Sequence, residues 1–482
     1  MNYISKKEKI NFMTGLAGQN IVYCFIGTSF FQYFLTDIAL FPPAIVAVLL
    51  VIMKVWDGIN DPIIGSFVDR HRFKNGEKLR PLLKNTPVPV GIFTVLIFVV
   101  FSTDENLLWL RVGYFVIMYL CWDITYTMQD VAIWGMTAVV TPDSNERDKF
   151  VQLARTVGSV FFGIASGFIP TVMENVAKIS GNSLALMTVL FTIIFGLGGA
   201  LLSAKCYSAH ERVRLVEPEK QQTSILECFK LLFQNKMLVL VTLSNLLGAL
   251  AFGGSLMTYF FKYKLPGITI AGYTLGPLTL TTIFGTLTSP LSFLGMLMAD
   301  KLKQKFKGYR NLLIFIQLCT FVGRVIAWII GFEGKNIIWT IVILALCSFP
   351  SGAASIAQTS LFCDSVDYME WKTGKRTEGV TFAMQTFFTK ISSGITGALG
   401  TFALSLLGYV AVEDTPGAVY LGTQTEAFET WIWPLVMLTP GIAALICIIP
   451  LLFIKYTPEQ KAQVEKDLAE RRAMAESQAV AE

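Results

Sequence analysis

Apolar runs broken by short polar stretches make up most of the chain. They lie near 12–36, 42–67, 86–102, 107–140, 151–174, 183–206, 237–261, 273–299, 311–332, 336–361, 379–410 and 430–454. A helix crosses a bilayer in about 20 residues, so this spacing predicts twelve transmembrane helices. The run that begins near 107 is longer than a span needs, which predicts a helix that tilts or projects past the bilayer.

The polar positions inside these runs carry the most information. The second run holds Lys54, Asp57 and Asp61, spaced three and four apart and therefore on one helical face. Each charge would cost about 2.5–3.5 kcal/mol if it faced lipid, so the stripe belongs beside water, an ion or other charges. This pattern points to a transporter. The fourth run carries a second stripe, Asp123, Thr127, Asp130 and Trp134, again on one face. An aromatic ring beside a carboxylate is the usual chemistry for holding a sugar, with CH faces on the ring and hydroxyls on the acid. Arg155, early in the fifth run, is placed either to line a cavity or to snorkel to the surface. Gln385, Thr386 and Lys390 lie in the eleventh run, where Lys390 is deep enough to favour a cavity role.

Composition agrees with a membrane setting. Hydrophobic residues are 53% and charged residues 15%, with a net charge of +5. The basic residues form no single patch that would bind nucleic acid; they sit between the apolar runs. With a cytoplasmic N-terminus, 30 of the 39 Lys and Arg fall in inside segments, against only Lys178, Lys262, Lys264 and Lys335 outside. This bias predicts a multi-pass protein of the cytoplasmic membrane with both termini cytoplasmic. No secretory signal opens the chain. The eight cysteines show no paired spacing, so neither a disulfide frame nor a cysteine metal site is expected. The two histidines, His71 and His210, lie in cytoplasmic loops, which leaves any ion or proton coupling to carboxylates. Asp oxygens, an Asn carbonyl and a Thr hydroxyl form a hard-oxygen set suited to a small hard cation. No phosphate-binding loop, metal-ligand cluster or nucleophile–base arrangement is visible, so neither an enzyme nor an ATP-driven pump is expected, and no cofactor.

The runs divide into two halves: a six-helix bundle over 1–206 and a second over 237–455. Between them lies a cytoplasmic linker, 207–236, and after them a tail, 456–482. A weak repeat supports duplication: Gly65 to Asp69-Arg70 after the second run corresponds to Gly295 to Asp300-Lys301 after the eighth. Ser224-x-x-Glu227 reads as a capping box opening an amphipathic linker helix, and Thr457-Pro458 as the start of a tail helix.

Four motifs carry a family resemblance. Lys54-x-Trp56-Asp57-x-x-Asn60-Asp61-Pro62-x-x-Gly65 is similar to the second-helix signature of the glycoside–pentoside–hexuronide:cation symporters. Tyr126-Thr127-x-x-Asp130-x-x-x-Trp134, Asp367-Tyr368-x-Glu370-Trp371-Lys372-Thr373-Gly374-x-Arg376 and Gln385-Thr386-x-x-x-Lys390 match the same family in order, from about residue 10 to 455. The resemblance implies an all-α membrane protein of major-facilitator architecture with alternating access. It implies a cation site at Asp57, Asn60, Asp61 and Thr127, with Asp57 and Asp61 as the metal ligands if the ion is Na⁺. It implies a substrate site at Asp130, Trp134, Arg155, Gln385, Thr386 and Lys390, with position 20 of the first helix beside it. At that position the family's melibiose permease has a Lys-Asp pair where this chain has Gln19-Asn20. Asn20 still bonds hydroxyls but is no anionic acceptor, so a galactoside is not the implied substrate.

The expected activity is therefore symport of a glycoside, pentoside or hexuronide with Na⁺ or H⁺ by a monomer. The alternative is an uncoupled facilitator or a substrate sensor on the same fold, in which the carboxylates only form salt bridges to Lys54 and Lys390.

Overall fold

The structure, a computed structural model, describes residues 3–70, 73, 77–212, 235–265, 269–270, 273–288, 290–373, 378–412 and 420–455. In the tail it describes 459–461, 463–464, 466–468 and 470. Nearly all of this is helical, and each of the expected runs falls on helical backbone. Among the described residues, ten helical stretches are long and apolar enough to cross a membrane. Of the two remaining runs, one is met by the 11-residue helix Pro87–Ile97 and the other by the 29-residue helix Glu378–Leu406. The long fourth run forms a single 32-residue helix, Leu108–Val139. A two-residue antiparallel pairing, Thr269 with Thr274, is the one extended element among the described residues.

Many large side chains on these helices point outward: Ile52, Ile63, Ile117, Ile164, Phe168 and Ile193 are all exposed. On a water-soluble protein that much open apolar surface would drive association. On membrane helices it is the lipid-facing side.

The chain divides into two compact units. The first comprises Met1–Lys220, Phe261–Thr282 and Thr401–Thr425; the second comprises Gln221–Phe260, Ile283–Gly400 and Glu426–Glu482. The segments 261–282 and 401–425, which the sequence places in the second half, group with the first unit for identifiable reasons. Lys262 and Tyr409 bond Asp37, and Glu174 accepts from the backbone N–H groups of Leu278 and Thr279.

In the first unit, Ser5 caps the helix Lys6–Cys24 by accepting from the Glu8 N–H at 3.2 Å. This helix lies against Gly198–Ser203 at backbone distance. A Cβ on Gly18 would stand 2.5 Å from the Gly199 carbonyl oxygen, so a larger residue there would push the helices apart. Phe12, Leu16, Ile133, Met136 and Phe150 fill the core beneath the polar stripes. The described part of the linker closes onto this unit, where Arg212 pairs with Glu8 at 2.7 Å. The expected linker helix at Ser224–Glu227 lies outside the described residues, as do Thr457 and Pro458; of the repeat motifs, the side chains of Asp69, Arg70 and Asp300 do so too.

In the second unit, Leu238, Leu312, Leu361, Phe362 and Leu451 form the core. The tail packs on the helix Ala354–Thr373. Val464 and Leu468 are buried, Lys461 pairs with Asp364, and Trp371 Nε1 donates to Asp467 Oδ2 at 2.7 Å.

Candidate functional site

Two neighbouring helices of the first unit, Pro43–Arg70 and Leu108–Val139, bring the first polar stripe against the second. Lys54 Nζ lies 2.6 Å from Asp57 Oδ2, and the Tyr119 hydroxyl donates to Asp57 Oδ1 at 3.0 Å. One turn further, Asn60 Nδ2 donates to Asp123 Oδ2 at 2.9 Å and approaches Thr127 Oγ1 at 3.5 Å. Thr127 Oγ1 in turn donates to Asp61 Oδ1 at 3.4 Å. Asp57, Asn60, Asp123 and Thr127 are 5%, 3%, 4% and 6% exposed, so these groups answer to one another rather than to bulk water. The structure thus brings Asp57, Asn60, Asp61 and Thr127 together, with Lys54, Tyr119 and Asp123 as their partners.

A second cluster begins three residues along the same helix. Asp130 Oδ1 accepts from Trp134 Nε1 at 3.1 Å and from Gln19 Nε2 at 2.7 Å. The Arg155 guanidinium stands 3.9 Å from the centre of the Trp134 ring, close enough for a cation–π contact. Arg155 is exposed, with its guanidinium lying on the ring. Asn20 is turned differently from its neighbour: its amide bonds the Leu16 carbonyl of its own helix at 2.9 Å and sits against Gly158. The residue of the first helix that reaches Asp130 is Gln19.

Gln385 and Lys390 are half-buried on the helix Glu378–Leu406, in the second unit. The side chain of Thr386 lies outside the described residues. This helix is tied to Lys236–Leu247, because Asn245 Nδ2 donates to Thr389 Oγ1 at 3.4 Å. Thr386 and Lys390 are four apart and share a helical face.

A third polar cluster in the first unit escaped sequence reasoning. Asp37 and Lys262 form an ion pair at 2.8 Å with both side chains fully buried. Asp37 Oδ1 also accepts from Tyr409 at 2.7 Å and from Tyr263 at 3.3 Å, while Oδ2 accepts from Thr36 at 2.8 Å. Rings of Tyr33, Tyr263 and Tyr420 surround the ammonium at 5.4, 5.3 and 4.9 Å. The available signal was an acid and a lysine at the ends of two apolar runs, which a hydropathy reading assigns to loops.

Helices with a lipid-facing exterior and hydrogen-bonded charges inside define a multi-pass membrane transporter. Comparison with known proteins makes the class specific: the chain belongs to the family described as MFS/sugar transport protein, which matches residues 11–458. It is a transporter of the sugar-carrying major facilitators and not an enzyme. Among similar proteins, the uncharacterized symporter YjmB of Bacillus subtilis is 27% identical, covering 97% of this chain and 96% of its own. The isoprimeverose transporter of Lactiplantibacillus pentosus is also 27% identical, covering 99% and 95%. The crystal structure of the nucleoside transporter NupG shares the fold with a TM-score of 0.55 at 15% identity, covering 94% and 98%.

Proposed function

We propose that this protein is a cation-coupled symporter of a glycoside, pentoside or hexuronide. The observation that carries the reading is the cluster of buried Asp57, Asn60 and Thr127 with half-buried Asp61, whose Thr127 lies three residues along its helix from Asp130 and seven from Trp134. A small cation drawn to the carboxylates changes the charge and order of that helix face. Asp130 and Trp134 share the face, so the ion raises affinity for the sugar they hold. Asp130 supplies the anionic acceptor for hydroxyls, Trp134 the stacking face, and Arg155 a cationic edge above the ring. The ion, Na⁺ or H⁺, is cargo here.

The substrate is a neutral β-glycoside or pentoside ahead of a hexuronide. The amide of Gln19 replaces an ammonium next to Asp130, which lowers the positive charge there, while the loss of an acid at position 20 works the other way. Relatives named for isoprimeverose and lactose support a neutral sugar, while those named for sulfoquinovose, a sulfonated sugar, keep an anionic one in view.

The Lys54–Asp57 pair supports a second reading, in which the acids are permanently neutralised and the protein is an uncoupled facilitator or sensor. A sodium or pH jump across proteoliposomes separates the two. Under symport, the wild type accumulates sugar with the gradient, while Asp57→Asn and Asp61→Asn bind sugar but do not accumulate it. Full gradient-driven uptake by both single variants would remove the ion site from these residues.

A further inference from the structure

Asp123 is an acid in the membrane that neither the family motifs nor the proposed ion ligands include. It is buried, and its Oδ2 takes the amide nitrogen of Asn60 at 2.9 Å. An ionised carboxylate only accepts hydrogen bonds, so the NH₂ end of Asn60 must face Asp123 and the carbonyl end must face away. That choice matters for a cation: the carbonyl end of an amide is a ligand and the NH₂ end repels. The other contacts of Asn60 Nδ2 and Thr127 Oγ1, at 3.5 and 3.4 Å, are too long to fix the amide by themselves. Among the described residues, no three His, Cys, Asp or Glu side chains form a ready-made metal site, and Asp123 is already engaged by the Asn60 amide.

We infer that Asp123 is a positioning residue that locks the Asn60 amide with its carbonyl oxygen available to the coupling ion. The inference rests on the symport reading and narrows it. A proton needs no carbonyl ligand, so the coupling ion of this chain is a metal cation, Na⁺ or Li⁺. Removing Asp123 frees the amide to rotate and present its NH₂ group to the ion.

The test is a double-mutant cycle read by binding rather than transport. Sodium and lithium titrations of thermal stability are made on the purified, sugar-free protein for wild type, Asp123→Ala, Asp123→Asn, Asn60→Ala and the Asp123→Ala/Asn60→Ala double variant. Asp123→Ala is expected to weaken apparent sodium affinity by about tenfold or more, the scale of one hydrogen bond to a charged group. Asp123→Asn keeps a neutral acceptor and is expected to fall between. In the Asn60→Ala background the Asp123 change should add nothing, because the group it positions is gone. If Asp123→Ala does not fold, Asp123→Asn in both backgrounds gives the same cycle.

Additive losses would overturn the inference, because Asp123 would then act independently of Asn60. Unchanged sodium affinity in the Asp123 variants would overturn it as well. A wild type that responds to neither Na⁺ nor Li⁺ but accumulates sugar on a proton gradient would overturn this inference and leave symport standing. Uptake independent of every ion gradient would overturn the symport reading itself.

Discussion

At the scale of single residues, the proposed substrate cluster makes a graded prediction. Trp134→Ala is expected to weaken sugar binding by roughly 1 kcal/mol or more, the scale of a lost stacking face. Asp130→Asn should be more severe, because a charge-assisted hydrogen bond is about twice as strong as a neutral one. Asp130 also holds Gln19 and Trp134 in place, so its loss loosens two further side chains. Equilibrium sugar binding by the two variants checks the order; a greater loss in Trp134→Ala would mean that Trp134 is the larger contact. Much of this cluster was legible in the sequence, since helical spacing alone placed Asp123, Thr127, Asp130 and Trp134 on one face. Spacing could not say which helix that face meets. Gln19 reaches Asp130 from 111 residues away, and Asn60 finds Asp123 across 63. The stripe told where chemistry sits; only packing told which amide donates to which acid.

At the scale of elements, apolar runs located the helices well and their ends less well. The third run continues to 102 by hydropathy, yet its helix stops at Ile97. Phe98 turns into a nest of rings formed by Phe25, Phe30, Phe31 and Phe34, with the last at 4.5 Å between centroids. A residue can leave a helix and remain apolar, so hydropathy does not register the end. The tenth run shows the opposite error: helix continues to Thr373 through Asp364, Asp367 and Glu370, where polarity ended the run near 361. The Asp37–Lys262 pair joins elements whose contact no local pattern announces. Breaking a fully buried pair from one side leaves an uncompensated charge and costs about 3–5 kcal/mol, whereas removing both charges costs far less. Asp37→Leu and Lys262→Leu are therefore each expected to lower the thermal midpoint strongly, and the double variant to recover most of it. Independent, additive drops in detergent-solubilised protein would show that the pair contributes little as a pair.

At the scale of the whole molecule, the sequence conveyed class and family because membrane burial leaves few ways to place a charge. Each intramembrane acid of the proposed ion cluster had to find a partner, and each is hydrogen-bonded in the structure. If the cluster binds the coupling ion and the Asp130–Trp134 face binds sugar, thermodynamic linkage ties their affinities. The factor by which sodium strengthens sugar binding must equal the factor by which sugar strengthens sodium binding. Couplings of this kind are about 1–3 kcal/mol, or roughly 5- to 150-fold. Titrating sugar at zero and saturating sodium, and sodium at zero and saturating sugar, should return one factor within error. Trp134→Ala should shift both sugar affinities together and leave that factor nearly unchanged, since the ring touches substrate and not the ion. Asp61→Asn should bring the factor towards one while sugar still binds. A factor of one in the wild type would instead identify a carrier whose aspartates are only structural, with Lys54 as their permanent counter-ion.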